Sequence, residues 1–369
     1  MKRICLYGGG QNLGGTEIYL ITLVRALKGE VTFDYLIRHD YGEIPFEDEI
    51  ISYGGKVYRE YYRNSEKKLP GYISPKKLLQ MHPEWDGIYV NLQKIDTSYR
   101  LLLEARKKGL SFRIIHSHSN KKDFNKRPIK NQIYNAFFQM TKKKVVNRFL
   151  ACSTLAATSM YGNHINFDVI PNAVNFSKFQ LNNIVRDIKR KEFHLHDDEF
   201  IVGFCGRLSK EKNPEFLIDI FYELRKRNSK SKLLIVGTGE LEENIRKKAE
   251  DLNLLKDIIF TGSVMDTENY YQMMDCFVLP SRYEGFGIVL LEAQAAGLNC
   301  YTTADVVPKE TNITGRVTFI SSNHSAIQWA EHILHNGFER IDSTDILNKS
   351  DYTIEAMKRK MLNVFNGHE

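Results

Sequence analysis

The feature that most constrains the fold of this chain is an alternation of apolar strands and amphipathic helices that runs through the sequence twice. The first half carries the strand-like segments KRICLYGGG, VTFDYLIR, DGIYVNL, FRIIHSHS, RFLACS and FDVIPN. The second half carries FIVGFCGRL, KLLIVGTG, IIFTGS, CFVLPS, LNCYTT and VTFIS. Helical stretches separate these segments, and such alternation favours parallel sheets covered by helices on both faces. We therefore predict an α/β protein.

The restart of the pattern predicts two doubly wound domains, because 369 residues are too many for one compact core. We place the first domain at residues 1–170 and the second at 171–348, joined by a hinge that carries one short helix. Residues 349–369 contain a final helix that we expect to pack back on the first domain. Sheets of this kind bind ligands beyond the carboxyl ends of their strands, so two facing sheets would share a cleft.

Composition narrows the class of protein further. An apolar content of 42% and a charged content of 26% are typical of a globular protein in water. No window reaches the roughly 18–20 apolar residues of a membrane span, and the start of the chain lacks the apolar run of a secretory signal. The five cysteines form no C-x-x-C pair, and four of them lie in apolar strand-like segments. These features predict a reduced, cytoplasmic protein.

The positive charge of the chain is concentrated in a basic segment, residues 121–148. Its net charge of +8, from nine basic residues and Asp123, compares with +7 for the whole chain. The basic residues are Lys121, Lys122, Lys126, Arg127, Lys130, Lys142, Lys143, Lys144 and Arg148. One interpretation is a solvated helix face. The other is a surface for anionic lipid, to which each basic residue contributes about 1 kcal/mol. No stacking motif or recognition helix favours nucleic acid.

The first loop, GGGQNLGGTE, joins the first strand to the first helix. It departs from two common phosphate-binding fingerprints, because Leu13 stands where the dinucleotide pattern needs glycine and Gly15 stands where the P-loop needs lysine. Gly14 and Gly15 still leave bare backbone at a helix N-terminus, where an anion can approach closely. The alternative is a tight turn that binds nothing.

The segment GRLSKEKN predicts a cationic loop in the second domain. It places Arg207 and Lys212 in one strand-to-helix loop, and Gly206 allows a ligand to approach closely. Two cations at such a position suit a diphosphate, because arginine clamps two oxygens and lysine supplies a mobile point charge. The alternative is an ordinary pair of basic residues on the surface.

The segment SRYEGFGIVLLEAQAAG combines a turn, a helix N-terminus and two carboxylates. Gly285, Phe286 and Gly287 lead into an apolar helix whose free N–H groups attract an anion. Glu292 is the only charged residue between 288 and 297, and a buried carboxylate needs hydrogen-bond partners such as vicinal sugar hydroxyls. Glu284 lies roughly 12 Å away by helical rise. The two acids therefore fit the two ends of an extended ligand such as a nucleotide sugar.

In this order, GRLSKEKN, VGTGE and LPSRYEGFGIVLLEAQAAG resemble the motifs of the GT-B glycosyltransferases of family 4, which are retaining and metal-independent. LGGTE near the start and VIPNAVN at the hinge are similar to the same pattern, so the resemblance covers nearly the whole chain. It implies two Rossmann-like domains that face a central cleft, the first for the acceptor and the second for the nucleotide-sugar donor. The sequence most resembles bacterial enzymes that build capsular polysaccharide or exopolysaccharide.

The resemblance also implies roles for individual residues. The diphosphate would be held by Arg207 and Lys212, the donor sugar by Glu284 and the amides that follow it, and the ribose by Glu292. We expect the donor to be linked to UDP. The full set of implied donor-binding residues is Gly15, Arg207, Lys212, Glu284, Gly285, Phe286, Gly287 and Glu292.

RIIHSHSN resembles the first-domain strand end where the family places a catalytic-site histidine. The register favours His118, with His116 as the alternative, and Gly14 would lie nearby. The implied acceptor is a glycan or a glycan linked to a lipid diphosphate. An enzyme acting on it would work at the cytoplasmic face of the membrane, with the basic segment against anionic lipid.

The sequence contains no D-x-D motif, so a donor site built from a metal and carboxylates is not indicated. Arginine, lysine and a helix dipole would stabilise the leaving diphosphate instead. We expect attack on the face that the diphosphate leaves, with no metal and no cofactor. His194 and His196, on the hinge helix, do not favour a metal site. The alternative functions are a sugar epimerase or phosphorylase of the same fold, or a nucleotide-sugar sensor or inactive partner subunit.

Overall fold

The structure is a computed structural model that describes residues 1–8, 14–38, 42–44, 46–61, 73–92, 99–118, 129–336 and 339–367. The chain forms two compact units. Unit 1 comprises Met1–Ala173 and Ile354–Glu369, and unit 2 comprises Val174–Thr353. The two crossings between the units lie within a few residues of the domain boundaries expected from the sequence. The acceptor and donor roles of the two domains stay predictions.

Unit 1 is built on a parallel sheet. In chain order its described strands are β1 (Lys2–Tyr7), β2 (Val31–Arg38), β3 (Val57–Tyr61), β4 (Gly87–Leu92), β5 (Phe112–Ser117), β6 (Arg148–Ala151) and β7 (Asp168–Val169). Their order across the sheet is β3-β2-β1-β4-β5-β6-β7. The apolar pattern predicts each of them except β3. This strand is at the edge of the sheet, and its sequence VYREY lacks a continuous apolar run.

Helices flank this sheet. They are α1 (Gly15–Ala26), α2 (Glu47–Ser52), α3 (Pro75–Met81), α4 (Tyr99–Lys108), α5 (Ile129–Val145) and α6 (Thr154–Tyr161). Helix α1 contributes Tyr19, Leu20, Leu23 and Val24 to the core cluster that contains the β1 side chains. Four apolar side chains at this helical spacing bind α1 firmly beside the strand it follows.

Unit 2 repeats the same design. Its strands are β8 (Phe200–Cys205), β9 (Ser231–Val236), β10 (Ile258–Gly262), β11 (Cys276–Leu279), β12 (Asn299–Thr303) and β13 (Val317–Ile320). Its helices are α7 (Phe176–Phe179), α8 (Asn183–Glu192), α9 (Pro214–Arg227), α10 (Glu242–Asp251), α11 (Thr267–Met273), α12 (Ile288–Ala295), α13 (Ala326–His335) and α14 (Thr344–Asn348). The parallel order β10-β9-β8-β11-β12-β13 is doubly wound, which confirms the predicted fold class.

The segment expected to be a hinge with one helix contains two helices, α7 and α8, and both belong to unit 2. Arg186 on α8 forms an ion pair with Asp275 at 2.5 Å, and Arg190 contacts the same carboxylate at 3.4 Å. Asp275 also accepts a hydrogen bond from the N–H of Ile201 at 2.7 Å. These buried polar contacts fix α8 beside the strands β8 and β11.

The final helix, α15 (Ile354–Asn366), belongs to unit 1. Its residues Met357 and Met361 are fully buried in the same core cluster as β1 and α1. The ring of Phe365 lies 5.5 Å from the ring of Phe112 and 6.1 Å from that of Phe33, between centroids. The core of unit 1 is therefore completed by residues that follow unit 2 in the sequence.

All five cysteines are buried free thiols. Burial raises the pKa of the Cys205 thiol to about 12, so this side chain behaves as an inert apolar group. Within the described ranges, no helix combines the length and the apolar character needed to cross a membrane.

Candidate functional site

Three neighbouring strands of unit 1 end close together at the carboxyl edge of the sheet. Gly8 follows β1, Asn91 lies near the end of β4, and His118 follows β5. The register pairs Asn91 with His116 across β4 and β5. Gly8 has a φ of +116°, and a Cβ at this position would overlap the carbonyl oxygen of Asn91. Glycine is therefore required here, because it lets the end of β1 approach β4.

His118 lies at this edge and is partly buried. Its Nε2 is 2.9 Å from Oδ1 of Asn91. The ring stacks on His116 at a centroid distance of 4.2 Å, and the ring of Tyr19 lies 4.7 Å away. Burial lowers the pKa of His118 to about 3, so the imidazole is neutral near pH 7. A neutral imidazole exchanges hydrogen bonds with hydroxyl groups rather than attracting an anion by charge.

His116 is fully buried beneath this ring. Its Nδ1 lies 2.6 Å from the hydroxyl of Tyr89, which in turn lies 2.8 Å from the hydroxyl of Tyr19. Burial, and next the neighbouring His118, lower the pKa of His116 well below its ordinary value. His116 thus supports the ring above it, and the geometry favours His118 as the histidine that meets a ligand.

The glycine loop contributes two described residues to the same edge, while residues 9–13 lie outside the described part of the chain. Gly14 is the N-cap of α1 in extended backbone, and no side chain caps the helix. A Cβ on Gly14 would lie 2.9 Å from Oε2 of Glu17, in the first turn. This carboxylate meets the positive end of the helix dipole, so it competes with any anion at Gly14 and Gly15.

In unit 2, the predicted donor residues other than Glu292 lie on two loops that contact each other. One loop, 206–213, follows β8, and the other, 280–287, follows the neighbouring strand β11. The N–H of Arg282 donates to the carbonyl of Glu211 at 2.7 Å, and its side-chain Nε donates to Oδ1 of Asn213 at 3.0 Å. The two loops are therefore fixed relative to each other.

Lys212 and Glu284 form an ion pair between these loops. The Lys212 Nζ lies 2.5 Å from the Glu284 Oε2, and the two side chains are 20% and 12% exposed. From the sequence, these two residues were expected to bind different parts of the ligand, and their contact with each other was not predicted. Arg207, on the same loop as Lys212, is exposed. Lys212 is thus paired within the protein, while Arg207 is exposed to solvent.

Helix α12 begins directly after these residues. Its N-cap, Gly287, has a φ of +89° and provides no side-chain cap. The side chain of Phe286 is buried and its ring stacks on Tyr352 at 5.2 Å between centroids. The packed aromatic ring fixes the backbone just before the helix, whose first N–H groups lack a side-chain partner as an anion site requires.

Glu292 lies on α12 and is partly rather than fully buried. The hydroxyl of Tyr271, on α11, donates a hydrogen bond to its Oε2 at 2.8 Å. Burial raises the pKa of Glu292 to about 7, although the bond from Tyr271 opposes this shift. The sequence motif includes Glu292 but not Tyr271, which was not predicted. A carboxylate offers about four lone-pair positions, so the Tyr271 contact leaves capacity for ligand hydroxyls.

The structure describes the side chains of only part of the basic segment. Side chains of residues 121–131 lie outside the described part. Lys142 is only 7% exposed, and its ammonium donates to the side chain of Gln139 and to the carbonyl of Tyr161. Its place in a lipid-facing surface was therefore predicted wrongly. One helical turn earlier, Phe138 is fully buried, so this face of α5 points into the core.

The opposite face of α5 is exposed and carries both basic and apolar side chains. Lys143 and Lys144 are exposed, and so are three large apolar side chains: Ile133 (64%), Phe137 (44%) and Met140 (81%). Their spacing of three or four residues places the apolar side chains in one stripe. We call these five residues the α5 outer face.

Among the described residues, no group of three or more His, Cys, Asp or Glu side chains is arranged to hold a metal ion. His194 and His196 lie beyond the end of α8, not on the helix as the sequence analysis placed them. His194 adopts a left-handed backbone with a φ of 53°, which ends the helix just before these residues.

Comparison with known proteins agrees with this architecture. Residues 185–335 match the family model described as Glycosyl transferases group 1, and this range contains the two loops and α12. EpsF of Bacillus subtilis (strain 168), which is named as a glycosyltransferase, is 26% identical over 377 residues that cover 99% of this chain and 96% of EpsF.

Two further relatives extend the comparison. An Escherichia coli protein named UDP-Gal:alpha-D-GlcNAc-diphosphoundecaprenol alpha-1,3-galactosyltransferase is 28% identical over 241 residues, covering 57% of this chain and 61% of that enzyme. The crystal structure of HepE from Anabaena with UDP-glucose matches this fold with a TM-score of 0.79 at 16% identity, covering 100% of both chains. The chain therefore has the GT-B fold, and its residues 185–335 are similar to the group 1 glycosyltransferases.

Proposed function

We propose that this enzyme transfers a sugar from a UDP-sugar to a glycan linked to a lipid diphosphate, in the assembly of a surface polysaccharide. The Escherichia coli relative is named for a UDP-linked donor and a diphosphoundecaprenol-linked acceptor. HepE, which has the same fold, was crystallised with UDP-glucose. Both names support a UDP-sugar as the donor.

The observation that carries this proposal is the grouping of charges at the start of α12. Lys212 and Glu284 form an ion pair there, Arg207 lies on the same loop as Lys212, and α12 begins without a side-chain cap. Further along α12, Glu292 keeps free acceptor positions. Cations and a helix N-terminus suit a diphosphate, and a carboxylate suits the hydroxyls of a ribose.

Binding of the donor would rearrange the ion pair. A diphosphate oxygen can replace the Glu284 carboxylate as the partner of Lys212, which releases Glu284 to accept hydrogen bonds from the donor sugar. Because both partners are already largely desolvated, the exchange replaces one ionic contact by another. The ion pair thus holds Lys212 and Glu284 in position until the donor arrives.

We further propose that transfer retains the anomeric configuration and needs no metal or cofactor. The bond between the anomeric carbon and the diphosphate oxygen breaks while the acceptor oxygen bonds to the same face of that carbon. The leaving diphosphate oxygen takes the acceptor proton. Arg207 and Lys212 stabilise the negative charge that grows on the diphosphate, and the missing D-x-D motif supports this metal-free arrangement.

The test is turnover of a panel of UDP-sugars by the purified protein in EDTA, with and without a lipid-diphosphate-linked sugar. We expect UDP release from one donor, faster with acceptor, and an NMR spectrum of the product that shows the donor's anomeric configuration. Strict dependence on Mg²⁺ or Mn²⁺, or an inverted product, would contradict the mechanism. UDP binding without release from any donor would favour a sensor or inactive subunit instead.

The α5 outer face supports a proposal about location. We propose that the enzyme lies on the cytoplasmic face of the membrane, with Ile133, Phe137 and Met140 against the lipid and Lys143 and Lys144 near anionic headgroups. Apolar contact and charge attraction act together in such interfacial helices. This surface would bring the enzyme to a lipid-linked acceptor without crossing the membrane.

Sedimentation with vesicles of anionic and of neutral lipid tests this location. The wild type should co-sediment with anionic vesicles at low salt and be released at high salt, because salt screens the charges. The double variant Lys143→Glu/Lys144→Glu should bind more weakly, with UDP affinity unchanged. Lys142 is left intact because it is buried. A wild type that ignores anionic vesicles at low salt would show that this face is merely solvated.

A further inference from the structure

Asn91 is a buried polar residue that belongs to none of the sequence motifs. It lies near the end of β4 and is only 5% exposed. Pairing with His116 fixes its backbone on one side, and the close approach of Gly8 fixes it on the other. Its side-chain Oδ1 lies 2.9 Å from Nε2 of His118. Asn91 therefore determines which hydrogen bond this nitrogen of His118 can make.

A neutral histidine carries one ring proton, and its partner decides where that proton is. The Asn91 Oδ1 is an acceptor, so His118 must hold its proton on Nε2. The other nitrogen, Nδ1, is then an acceptor. Among the described residues, neither His118 Nδ1 nor Asn91 Nδ2 has a hydrogen-bond partner, although both atoms are shielded from water.

Leaving a buried polar atom without a partner is unfavourable, so these two atoms indicate a ligand that supplies the missing hydrogen bonds. One atom accepts and the other donates, which is the pattern that a sugar hydroxyl and a neighbouring oxygen can satisfy. The rings of Tyr19 and His116 lie against His118 and restrict its rotation. His118 itself keeps partial exposure at the edge of the sheet.

We propose that Asn91 is a positioning residue that holds His118 in the Nε2–H tautomer, so that Nδ1 accepts a hydrogen bond from a hydroxyl of the sugar substrate. This inference rests on the proposed sugar transfer, since the sugar provides the hydroxyl. It adds a residue that lies outside every motif in the sequence. It also states the direction of the hydrogen bond at His118.

The sharpest variant is Asn91→Asp, which keeps the acceptor oxygen and nearly the same volume. In the described part of the chain, the titratable groups packed on His118 are His116 on β5 and Tyr19 on α1, with Tyr89 of β4 behind His116. Burial lowers the pKa of His118. A carboxylate at position 91 would favour the imidazolium, whose Nδ1 donates and cannot accept. We expect kcat/KM of the variant to fall at least about tenfold from pH 8 to pH 6 relative to wild type.

Asn91→Leu removes the acceptor without adding charge. It should lower kcat/KM about tenfold at every pH, while UDP affinity stays within about twofold. Asn147→Asp is the matched control, because it makes the same change just before β6, at the opposite edge of the sheet. The control should keep the wild-type pH profile. If kcat/KM of Asn147→Asp fell from pH 8 to pH 6 as much as that of Asn91→Asp, any new carboxylate in unit 1 would have this effect.

The tautomer can be read directly from ¹⁵N NMR of histidine-labelled wild type, with the His118 signal assigned by its loss in His118→Gln. An Nε2–H signal is expected, and an Nδ1–H tautomer would overturn the inference without any turnover measurement. If UDP-sugars turn over but Asn91→Asp has the wild-type pH profile and Asn91→Leu is fully active, the inference fails while the proposed function stands. If no UDP-sugar binds or turns over, the proposed function fails, whatever the tautomer.

Discussion

The carboxyl edges of the two sheets present opposite kinds of chemistry. In unit 1, the described side chains around His118 are neutral: His118, His116 and Asn91, with Tyr19 and Tyr89 beside them. In unit 2, the corresponding edge carries Lys212 and Glu284 as an ion pair and the exposed Arg207. The same doubly wound design thus carries hydrogen-bonding groups in one unit and charged groups in the other.

Under the proposed function, this difference would divide the recognition of one nucleotide sugar between the two units. A diphosphate carries charge and calls for cations, which the described edge of unit 2 offers. A sugar carries only hydroxyls, which neutral groups such as those of unit 1 bind without attracting the phosphates. Substitutions of the charged residues in unit 2 should therefore mainly change the binding and release of UDP. Substitutions in unit 1 should instead remove hydrogen bonds.

The largest effect should follow Arg207→Ala. Under the proposed function, its guanidinium stabilises the charge that grows as the diphosphate leaves, so we expect kcat/KM to fall about 10²- to 10³-fold. Lys210→Ala is the matched control, because Lys210 is an exposed cation on the same loop. Steady-state UDP release should separate the two variants. An equal loss in Lys210→Ala would mean that the loop acts through its net charge alone.

The second effect concerns pH and stability at Glu292. Burial raises its pKa in the folded protein to about 7 from 4.5, so the folded protein keeps a proton that the unfolded chain has released between these values. The free energy of unfolding should therefore fall as pH rises from 4.5 through 7, by at most about 3 kcal/mol. Urea unfolding at pH 5 and pH 8 measures this fall. Glu292→Gln should not show this fall. If the free energy of unfolding fell equally in the wild type and in Glu292→Gln, Glu292 would not be its cause.

The third prediction is that Glu292→Ala weakens UDP binding. The lost hydrogen bonds to a charged group correspond to about 1.5–3 kcal/mol, or roughly a 10- to 150-fold rise in Kd. Isothermal titration of the folded variant with UDP measures it. Tyr271→Phe, which removes the hydroxyl that holds Glu292, should have a smaller effect. Unchanged UDP affinity in Glu292→Ala would remove this residue from the site.

The smallest effect should come from Tyr89→Phe in unit 1. This change removes the hydroxyl between Tyr19 and His116, so the free energy of unfolding should fall by about 1 kcal/mol. UDP affinity should not change, because the charged residues of unit 2 are intact. Urea denaturation measures the free energy of unfolding, and isothermal titration measures UDP affinity on the same samples. Tyr222→Phe on α9 is the control. A clear loss of UDP binding would contradict the division between the two edges.

The described strands other than β3 were predictable, because buried parallel strands are apolar throughout. The loops around Arg207 and Glu284 were predictable because glycine and charge interrupt the pattern there. The contact between Lys212 and Glu284 was not predictable from spacing. It depends on β8 and β11 being neighbours, and the sequence does not state the order of strands in a sheet.

Two other residues, Tyr271 and Lys142, could not be placed correctly from the sequence, each for a different reason. Tyr271 was missed because an aromatic residue at an apolar helix position is usually core, and only the position of α11 beside α12 brings it to Glu292. Lys142 was misplaced because three consecutive lysines look alike, although helical rotation sends the first one inward. Asn91 did carry a signal, since it is a polar residue at the end of an apolar strand.

The return of α15 to unit 1 has a consequence for synthesis on the ribosome. Unit 2 is one contiguous stretch, so it can fold as soon as residue 353 has emerged, whereas unit 1 still lacks Met357, Met361 and Phe365. At roughly 5–20 residues per second, translating residues 174–353 takes on the order of 10–40 s. During this time the core of unit 1 lacks the side chains of α15. The N-terminal portion, although made first, is therefore completed last. Nascent chains stalled within unit 2 should expose that unfinished core to chaperones and proteases.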